Sequence, residues 1–147
     1  QAVPTLDRSQ MASASHVARG GYVLIDAPDS QPQVLLIGTG SELSLCVEAH
    51  RQLASEGIAA RVVSLPCWEL FEEQDSAYRE AVLPSSVTAR VGVEAGIRQG
   101  WDRYLGGEGL FVGMNSFGAS GKAEELYAHF GITTQAVVTA AQQTLNA

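Results

Sequence analysis

The stretch Val62-Val63-Ser64-Leu65-Pro66-Cys67-Trp68-Glu69-Leu70-Phe71 decides how the middle of this chain folds. It begins with two adjacent β-branched residues and has no charge in its first four positions, which predicts a buried strand. Pro66 has no backbone N–H to donate, so we expect the strand to end there. The large side chains of Trp68, Leu70 and Phe71 follow outside any sheet. They must be buried against the domain or against a partner, and we expect the domain.

Strand and helix patterns alternate along the rest of the chain. Short apolar runs predict further strands at residues 22–26, 33–37, 89–93 and 110–112. Apolar residues at helical spacing predict helices between Ser41 and Gly57 and at residues 72–82, 122–130 and 134–145. This alternation predicts a three-layer α/β/α domain with a mostly parallel sheet. Residues 34–37 are apolar throughout and residues 62–65 are apolar except for Ser64, so we expect them to be neighbouring central strands.

Composition limits the classes of function. The 147 residues suit one domain. A net charge of −7, with one lysine and scattered arginines, argues against a nucleic-acid partner. No apolar run approaches the roughly 20 residues that span a bilayer, so we expect no membrane partner. Cys46 and Cys67 suit reduced thiols, which predicts a cytoplasmic location.

The chain divides into an arm and a domain. Residues 1–20 are polar and irregular and are predicted to be an arm or linker, whereas residues 21–147 carry the α/β pattern. The chain begins with Gln1 rather than Met, which predicts that it is a piece of a longer polypeptide.

The turn Gly38-Thr39-Gly40-Ser41 is the first candidate ligand site. It follows a strand and opens a helix, where free backbone N–H groups bind anions. However, Leu43 stands where a dinucleotide fingerprint needs its third glycine, and Glu42 would repel a phosphate. A structural turn is the favoured interpretation, and a small-ligand or anion site is the alternative.

Glu94 is the second candidate. It ends a predicted parallel strand, and open α/β sheets bind ligands at that edge. A lone carboxylate there can act as a base or bind a substrate hydroxyl. Because no second carboxylate or histidine accompanies it in sequence, a carboxylate satisfied within the fold is the favoured interpretation.

No other residues predict a catalytic, cofactor or metal site. His16, His50 and His129 lie far apart and lack the spacing of metal ligands. Ser41 and Ser120 precede predicted helices and are interpreted as helix caps rather than nucleophiles. Two glycine–aromatic loops, at residues 100–101 and 117–120, are open to two interpretations: tight packing at the sheet edge, or a surface that faces a partner.

These motifs together resemble the C-terminal domain of transketolase. The most specific are the run from Leu65 to Phe71 and the later Phe117-Gly118-Ala119-Ser120. The other matching pieces, in the same order and spacing, are Gln1 with Pro4, Gly21-Tyr22-Val23-Leu24, Thr39-Gly40-Ser41-Glu42, Gln74, Tyr78-Arg79, Val82-Leu83-Pro84, Glu94-Ala95-Gly96, Gly100-Trp101, Gly113-Met114 and Phe130-Gly131. Lys122 departs from the family, which usually has proline there.

The resemblance implies a five-stranded sheet whose first strand is antiparallel and lies at an edge. It implies that the intact enzyme uses thiamine diphosphate and Mg²⁺ or Ca²⁺ to move a two-carbon ketol unit from a ketose phosphate to an aldose phosphate. In the family, two preceding domains hold the cofactor at a homodimer interface, and an arginine that helps hold substrate phosphate would lie just before Gln1. This chain is therefore expected to hold no cofactor and to be inactive alone.

Three functional hypotheses follow. The favoured one is a non-catalytic structural or regulatory domain of a transketolase, serving either the pentose phosphate pathway or carbon fixation. The second is a free-standing α/β module that binds a small ligand at the Gly38 turn. The third is the equivalent domain of another thiamine-diphosphate enzyme, against which the run from Leu65 to Phe71 argues.

Overall fold

The computed structural model describes residues 3–146, so the predictions that touch Gln1 and Ala147 lie outside the described residues. The five strands are β1 (Tyr22–Ile25), β2 (Val34–Gly38), β3 (Ala60–Ser64), β4 (Arg90–Ile97) and β5 (Leu110–Met114). The α-helices are α1 (Leu43–Ser55), α2 (Trp68–Glu72), α3 (Ser76–Val82), α4 (Asp102–Leu105), α5 (Ala123–Phe130) and α6 (Thr134–Leu145). Short 3-10 helices occupy Ala14–Arg19, Pro28–Ser30 and Gly40–Glu42.

The sheet has the predicted topology. Its strand order is β1-β3-β2-β4-β5; β1 pairs with β3 in antiparallel fashion, and the other pairs are parallel. The prediction that β2 and β3 are neighbours is confirmed, and every residue of both strands is buried. Helices cover both faces of the sheet, which explains why β2 is apolar throughout and why even the polar Arg61 and Ser64 of β3 are buried.

Two cores lie on opposite faces of the sheet. Because successive side chains of a strand alternate between faces, Leu36 packs in one core and Ile37 in the other. Helices α1 and α6 cover the first face, and α2, α3 and α4 cover the second. The fold is therefore the predicted three-layer α/β/α arrangement. No helix within residues 3–146 is long and apolar enough to cross a membrane.

The segment after β3 differs from its prediction. We expected a loop followed by one helix at residues 72–82, but α2 begins at Trp68 and α3 is separate. The break falls at Asp75, whose side chain accepts a hydrogen bond from the backbone N of Tyr78 at 2.7 Å and so caps α3. The cap made by Asp75 starts a new helix, although the pattern of residues 72–82 had predicted a single one.

The expected burial of the three large side chains is correct only in part. Phe71 is 2% exposed, Trp68 is half-buried, and Leu70 is 39% exposed. In a helix, positions three residues apart share a face, so Trp68 and Phe71 both reach the second core while Leu70 faces away from it. The prediction for Leu70 was therefore wrong.

Three further differences concern short elements. The predicted strand at residues 89–93 continues to Ile97, so Glu94 lies within β4 rather than at its end. Helix α4 was not predicted, since four residues are too few to show a helical period. The predicted irregular arm contains the 3-10 helix Ala14–Arg19.

One ion pair ties the amino-terminal strand to the sheet. Arg61, in β3, is 4% exposed, and its guanidinium donates to both carboxylate oxygens of Asp26 at 2.7 and 3.1 Å. It also donates to the backbone oxygens of Ala81 and Val82. Burial opposes ionisation of Asp26, but hydrogen bonds from Arg61, Ser30 and the Ala27 amide outweigh it and lower the pKa of Asp26.

We predict that Phe71→Ala lowers the free energy of unfolding by roughly 3–5 kcal/mol, because it leaves a cavity in the second core. Leu70→Ala, the neighbouring change on the exposed side of α2, should alter it by about 0.5 kcal/mol or less. Urea denaturation followed by circular dichroism measures both. Equal losses for the two variants would contradict the assignment of the buried face.

We predict that Asp26→Asn lowers the free energy of unfolding at pH 7 by roughly 1–3 kcal/mol, since it leaves the buried Arg61 charge without its partner. We expect a loss of unfolding free energy in the lower half of that range, because Asp26 is partly exposed and solvent screens its charge. A folded-state pKa below the unfolded one means that the pair stabilises the fold above about pH 4 and loses this effect as pH falls further.

The difference between the parent chain and Asp26→Asn should therefore shrink in acid denaturation curves below that pH. Asp29→Asn is the matched control, since Asp29 is exposed and Asn also tolerates its positive φ of 54°. A pH-independent difference for Asp26→Asn would show that the charge of Asp26 is not the cause.

Candidate functional site

The Gly38–Ser41 turn lies at the carboxyl edge of the sheet, between β2 and α1, and a buried carboxylate accompanies it. Glu42 is 5% exposed and stands at the N-cap of α1. Its carboxylate accepts hydrogen bonds from the Ser41 hydroxyl at 2.6 Å, from the Ala95 amide at 3.1 Å and from the Tyr127 hydroxyl. The positive end of α1 therefore already faces a negative group of the chain itself.

The glycines of this turn serve packing and backbone geometry. A Cβ on Gly38 would lie 2.9 Å from the sulfur of Cys46 and 3.1 Å from the Cα of Leu43, so α1 packs directly on β2 at this point. Gly40 has a φ of +56°, which favours glycine. Thr39 is half-buried and makes no side-chain cap. These contacts support the structural interpretation of the turn.

The Glu94 carboxylate also has a hydrogen-bond partner within the domain. Its carboxylate accepts a hydrogen bond from the indole N–H of Trp101 at 2.7 Å, and Trp101 is fully buried. The Trp101 ring in turn meets Trp68 edge-on at 5.5 Å. Gly100 completes the cluster, since a Cβ there would lie 2.8 Å from the Trp68 ring. The loop at residues 100–101 thus follows the packing interpretation.

The two candidate carboxylates are not brought together by the fold. Glu42 bonds to Tyr127 of α5, whereas Glu94 bonds to Trp101, just before α4. Tyr127 packs against the first core and Trp101 lies in the second, so the two carboxylates bond to partners on opposite faces of the sheet, although Glu42 also accepts from the amide of Ala95, the residue after Glu94. Within residues 3–146, no group of three or more His, Cys, Asp or Glu side chains is placed to hold a metal ion.

The predicted serine caps are wrong. Glu42 is the N-cap of α1, and the Ser41 hydroxyl bonds to the Glu42 carboxylate instead of a helix amide. Helix α5 begins after Lys122, which makes no side-chain cap, and Ser120 is exposed two residues earlier. Which residue caps a helix depends on where the helix begins to within one or two residues, and a sequence pattern does not fix the first residue of a helix that closely.

A shallow apolar groove of about 200 Å³ lies beside this network and was not predicted. Its walls are mainly apolar side chains from α5 and its flanks, together with the ends of β4 and β5: Ala95, Met114, Leu126, Tyr127, Phe130 and Ile132. No charged group lines it. The groove suits an apolar side chain and offers nothing to bind a phosphate.

A polar recess of about 330 Å³ lies between α3 and α4, and it too was missed. Glu72 accepts from Arg79 at 2.8 Å and from the Tyr104 hydroxyl at 3.0 Å. Burial and then the Glu72 hydrogen bond raise the pKa of Tyr104 to about 12. Arg90 donates to backbone oxygens at 2.7 Å on Tyr104 and on Pro84. These hydrogen bonds join α2, α3 and α4 to one another and to β4, while the buried Nε of Arg79 has no hydrogen-bond partner among the described residues.

The residues present do not fit thiamine diphosphate. A diphosphate bound with a divalent cation needs oxygen ligands around the cation and a positive cradle for the phosphates. The glycine turn between β2 and α1 has the buried Glu42 carboxylate at its helix end. Residues 3–146 offer no cluster of His, Cys, Asp or Glu side chains for the cation.

Fold and site together define an open α/β domain in which the carboxylates of Glu42 and Glu94, near the carboxyl edge of the sheet, bond to other groups of the same domain. A sequence model of the family described as "Transketolase-like TK C-terminal domain" matches residues 20–133. The chain therefore belongs to the transketolase C-terminal domain family.

Individual relatives agree with this assignment. The chain is 54% identical over 134 residues to a Craterostigma plantagineum protein named Transketolase 7, covering 89% of this chain and 20% of that protein. The transketolase structure from Leishmania mexicana superposes with a TM-score of 0.83 at 42% identity, covering 92% of this chain and 19% of that one. A Pichia stipitis transketolase described as a complex with sedoheptulose-7-phosphate gives 0.82 at 36% identity, with 93% and 19% covered. The chain thus spans about a fifth of its relatives' length.

We predict that Glu94→Ala lowers the free energy of unfolding by roughly 1–3 kcal/mol, because the buried Trp101 indole N–H loses its acceptor. Glu94→Gln keeps an acceptor oxygen and should recover most of that loss. Thermal unfolding of the two variants beside the parent chain measures this difference. If Gln is as harmful as Ala, the charge of Glu94 matters for a reason other than the indole bond.

Proposed function

We propose that this chain is the C-terminal domain of a transketolase and that it has a structural or regulatory role without catalytic residues of its own. The observation that carries the proposal is the family match over residues 20–133, together with relatives five times as long. The internal hydrogen bonds of Glu42 and Glu94 support it, since they leave neither carboxylate free for chemistry.

The intact enzyme, in this proposal, transfers a two-carbon ketol unit from a ketose phosphate to an aldose phosphate. The sedoheptulose-7-phosphate named for the Pichia stipitis structure supports sugar phosphates as the substrate class. Thiamine diphosphate and Mg²⁺ or Ca²⁺ belong to the preceding domains of a homodimer. The poor fit of this chain to the cofactor supports that division of roles.

Two finer assignments belong to the same proposal. Residues 1–20 act as the arm that connects residues 21–147 to the preceding domains; the packing of Leu6, Met11 and Ala12 against the first core supports a fixed path for it. The enzyme serves either the pentose phosphate pathway or carbon fixation, and it works in the cytoplasm. The free thiols of Cys46 and Cys67, which suit a reducing compartment, support that location.

We predict that the purified 147-residue chain gives no saturable heat when titrated with thiamine diphosphate and Mg²⁺ in a calorimeter. It should also show no ketol transfer from a ketose phosphate in a coupled assay. The physical reason is that residues 3–146 offer no cluster of His, Cys, Asp or Glu for the cation and that Glu42 occupies the helix end of the Gly38 turn.

The matched control is the longer polypeptide that includes the preceding domains, which should bind the cofactor and transfer ketol units under the same conditions. Micromolar, saturable binding by the chain alone would overturn the assignment of the cofactor to other domains. A longer polypeptide without ketol transfer would overturn the proposed activity.

A further inference from the structure

Exposed apolar side chains are concentrated at one edge of the domain. Within residues 3–146, five large apolar side chains are exposed: Val3, Val17, Leu70, Ile97 and Phe117. Single exposed apolar residues are normal on soluble proteins, but clusters mark interaction surfaces. The side chains of Val3, Ile97 and Phe117 are 52%, 53% and 97% exposed, and all three lie near the carboxyl edge of the sheet.

The strand ends place two of these side chains next to the apolar groove. Ile97 is the last residue of β4 and pairs with Met114, the last residue of β5. Met114 lines the groove, and Phe117 follows it by three residues in a segment without charges, residues 115–121. Beside the groove, α5 has no fully buried residue. The groove and the two exposed side chains therefore form one apolar region.

The amino-terminal arm reaches the same edge. Val3 and Pro4 line a small hollow together with Gly40 and Ser41. The Ser41 hydroxyl lies 3.0 Å from the hydroxyl of Tyr127, which lines the apolar groove. We call this region the edge surface. It comprises Val3, the contact between Ser41 and Tyr127, the apolar groove, and the exposed Ile97 and Phe117.

We propose that the edge surface is the docking site for the part of the parent polypeptide that precedes this chain. The inference rests on the proposed function, in which the remaining four fifths of a transketolase-length polypeptide exist. In that polypeptide the connection to Val3 enters at the edge surface, so the preceding region is held there at high effective concentration. The uncharged groove and Phe117 call for an apolar contact from it.

A second copy of this region is a less suitable occupant. Each copy carries a net charge of −7, and two such domains repel each other. Glu124 and Glu125, in the first turn of α5, bring part of that charge close to the groove. If two copies met at this surface, Glu124 and Glu125 of one copy would approach the same carboxylates of the other and repel them. A preceding region with a different sequence does not bring these like charges together.

The test is site-specific photo-crosslinking in the full-length parent polypeptide. Benzoylphenylalanine replaces Phe117 in one variant and Leu70, exposed on α2 at the opposite face, in the control. Because Phe117 is 97% exposed and uncharged, the larger ring fits without disturbing the core. Position 117 is expected to cross-link to peptides of the preceding region, at a yield at least about tenfold above position 70.

Yields as low at position 117 as at position 70 would overturn the docking proposal. Cross-links found only to residues 1–147 of a second copy would overturn it as well. Ketol transfer by the unmodified full-length polypeptide is measured in parallel and tests the proposed function separately. An active enzyme without the cross-link rejects the docking site alone, whereas the cross-link in an inactive polypeptide rejects the proposed activity alone.

Discussion

The buried carboxylate of Glu42 connects segments that are far apart in sequence, and the carboxyl edge of the sheet depends on it. It bonds to the turn after β2, to the backbone of β4 at Ala95 and to α5 at Tyr127. A carboxylate so little exposed is tolerated only when its oxygens have donors, and here three donors reach it. Helix α5 has no fully buried residue, so this hydrogen bond and the partly buried Tyr127 and Phe130 are its main attachments.

The large-scale fold was predictable because its signals are long and mutually consistent. The apolar run of β2 and the uncharged stretch that begins at Val62 in β3 indicated strands covered on both faces, and their alternation with helical patterns indicated the layers. The break at Asp75 and the exposure of Leu70 were not predictable in the same way. The break depends on the side-chain cap that Asp75 makes to α3, and the exposure of Leu70 depends on the phase of the five-residue α2. A shift of one residue turns a side chain by about 100° around a helix axis.

The hydrogen-bond partners of the candidate residues were not predicted. Nothing in sequence indicates that Glu94 would meet Trp101, or that Glu42 would meet Tyr127 from the other end of the chain. Such contacts join side chains across separate elements, and their geometry is set by the packing of the sheet. The glycine turn illustrates the difficulty, because the sequence favoured a structural turn without naming the contact, and the structure shows Gly38 packed closely against Cys46.

An open α/β sheet ordinarily offers its carboxyl edge to a ligand, since helix N-termini and strand ends converge there. In this domain Glu42 occupies the helix N-terminus and Glu94 is taken by an indole, so the polar attractions of that edge are satisfied internally. Apolar side chains are exposed at the same edge: the groove lies beside Tyr127, with Ile97 and Phe117 next to it. Because Glu42 and Glu94 bond within the domain, this edge does not offer them to a ligand. The exposed apolar groups at the same edge are suited to contact with another protein segment.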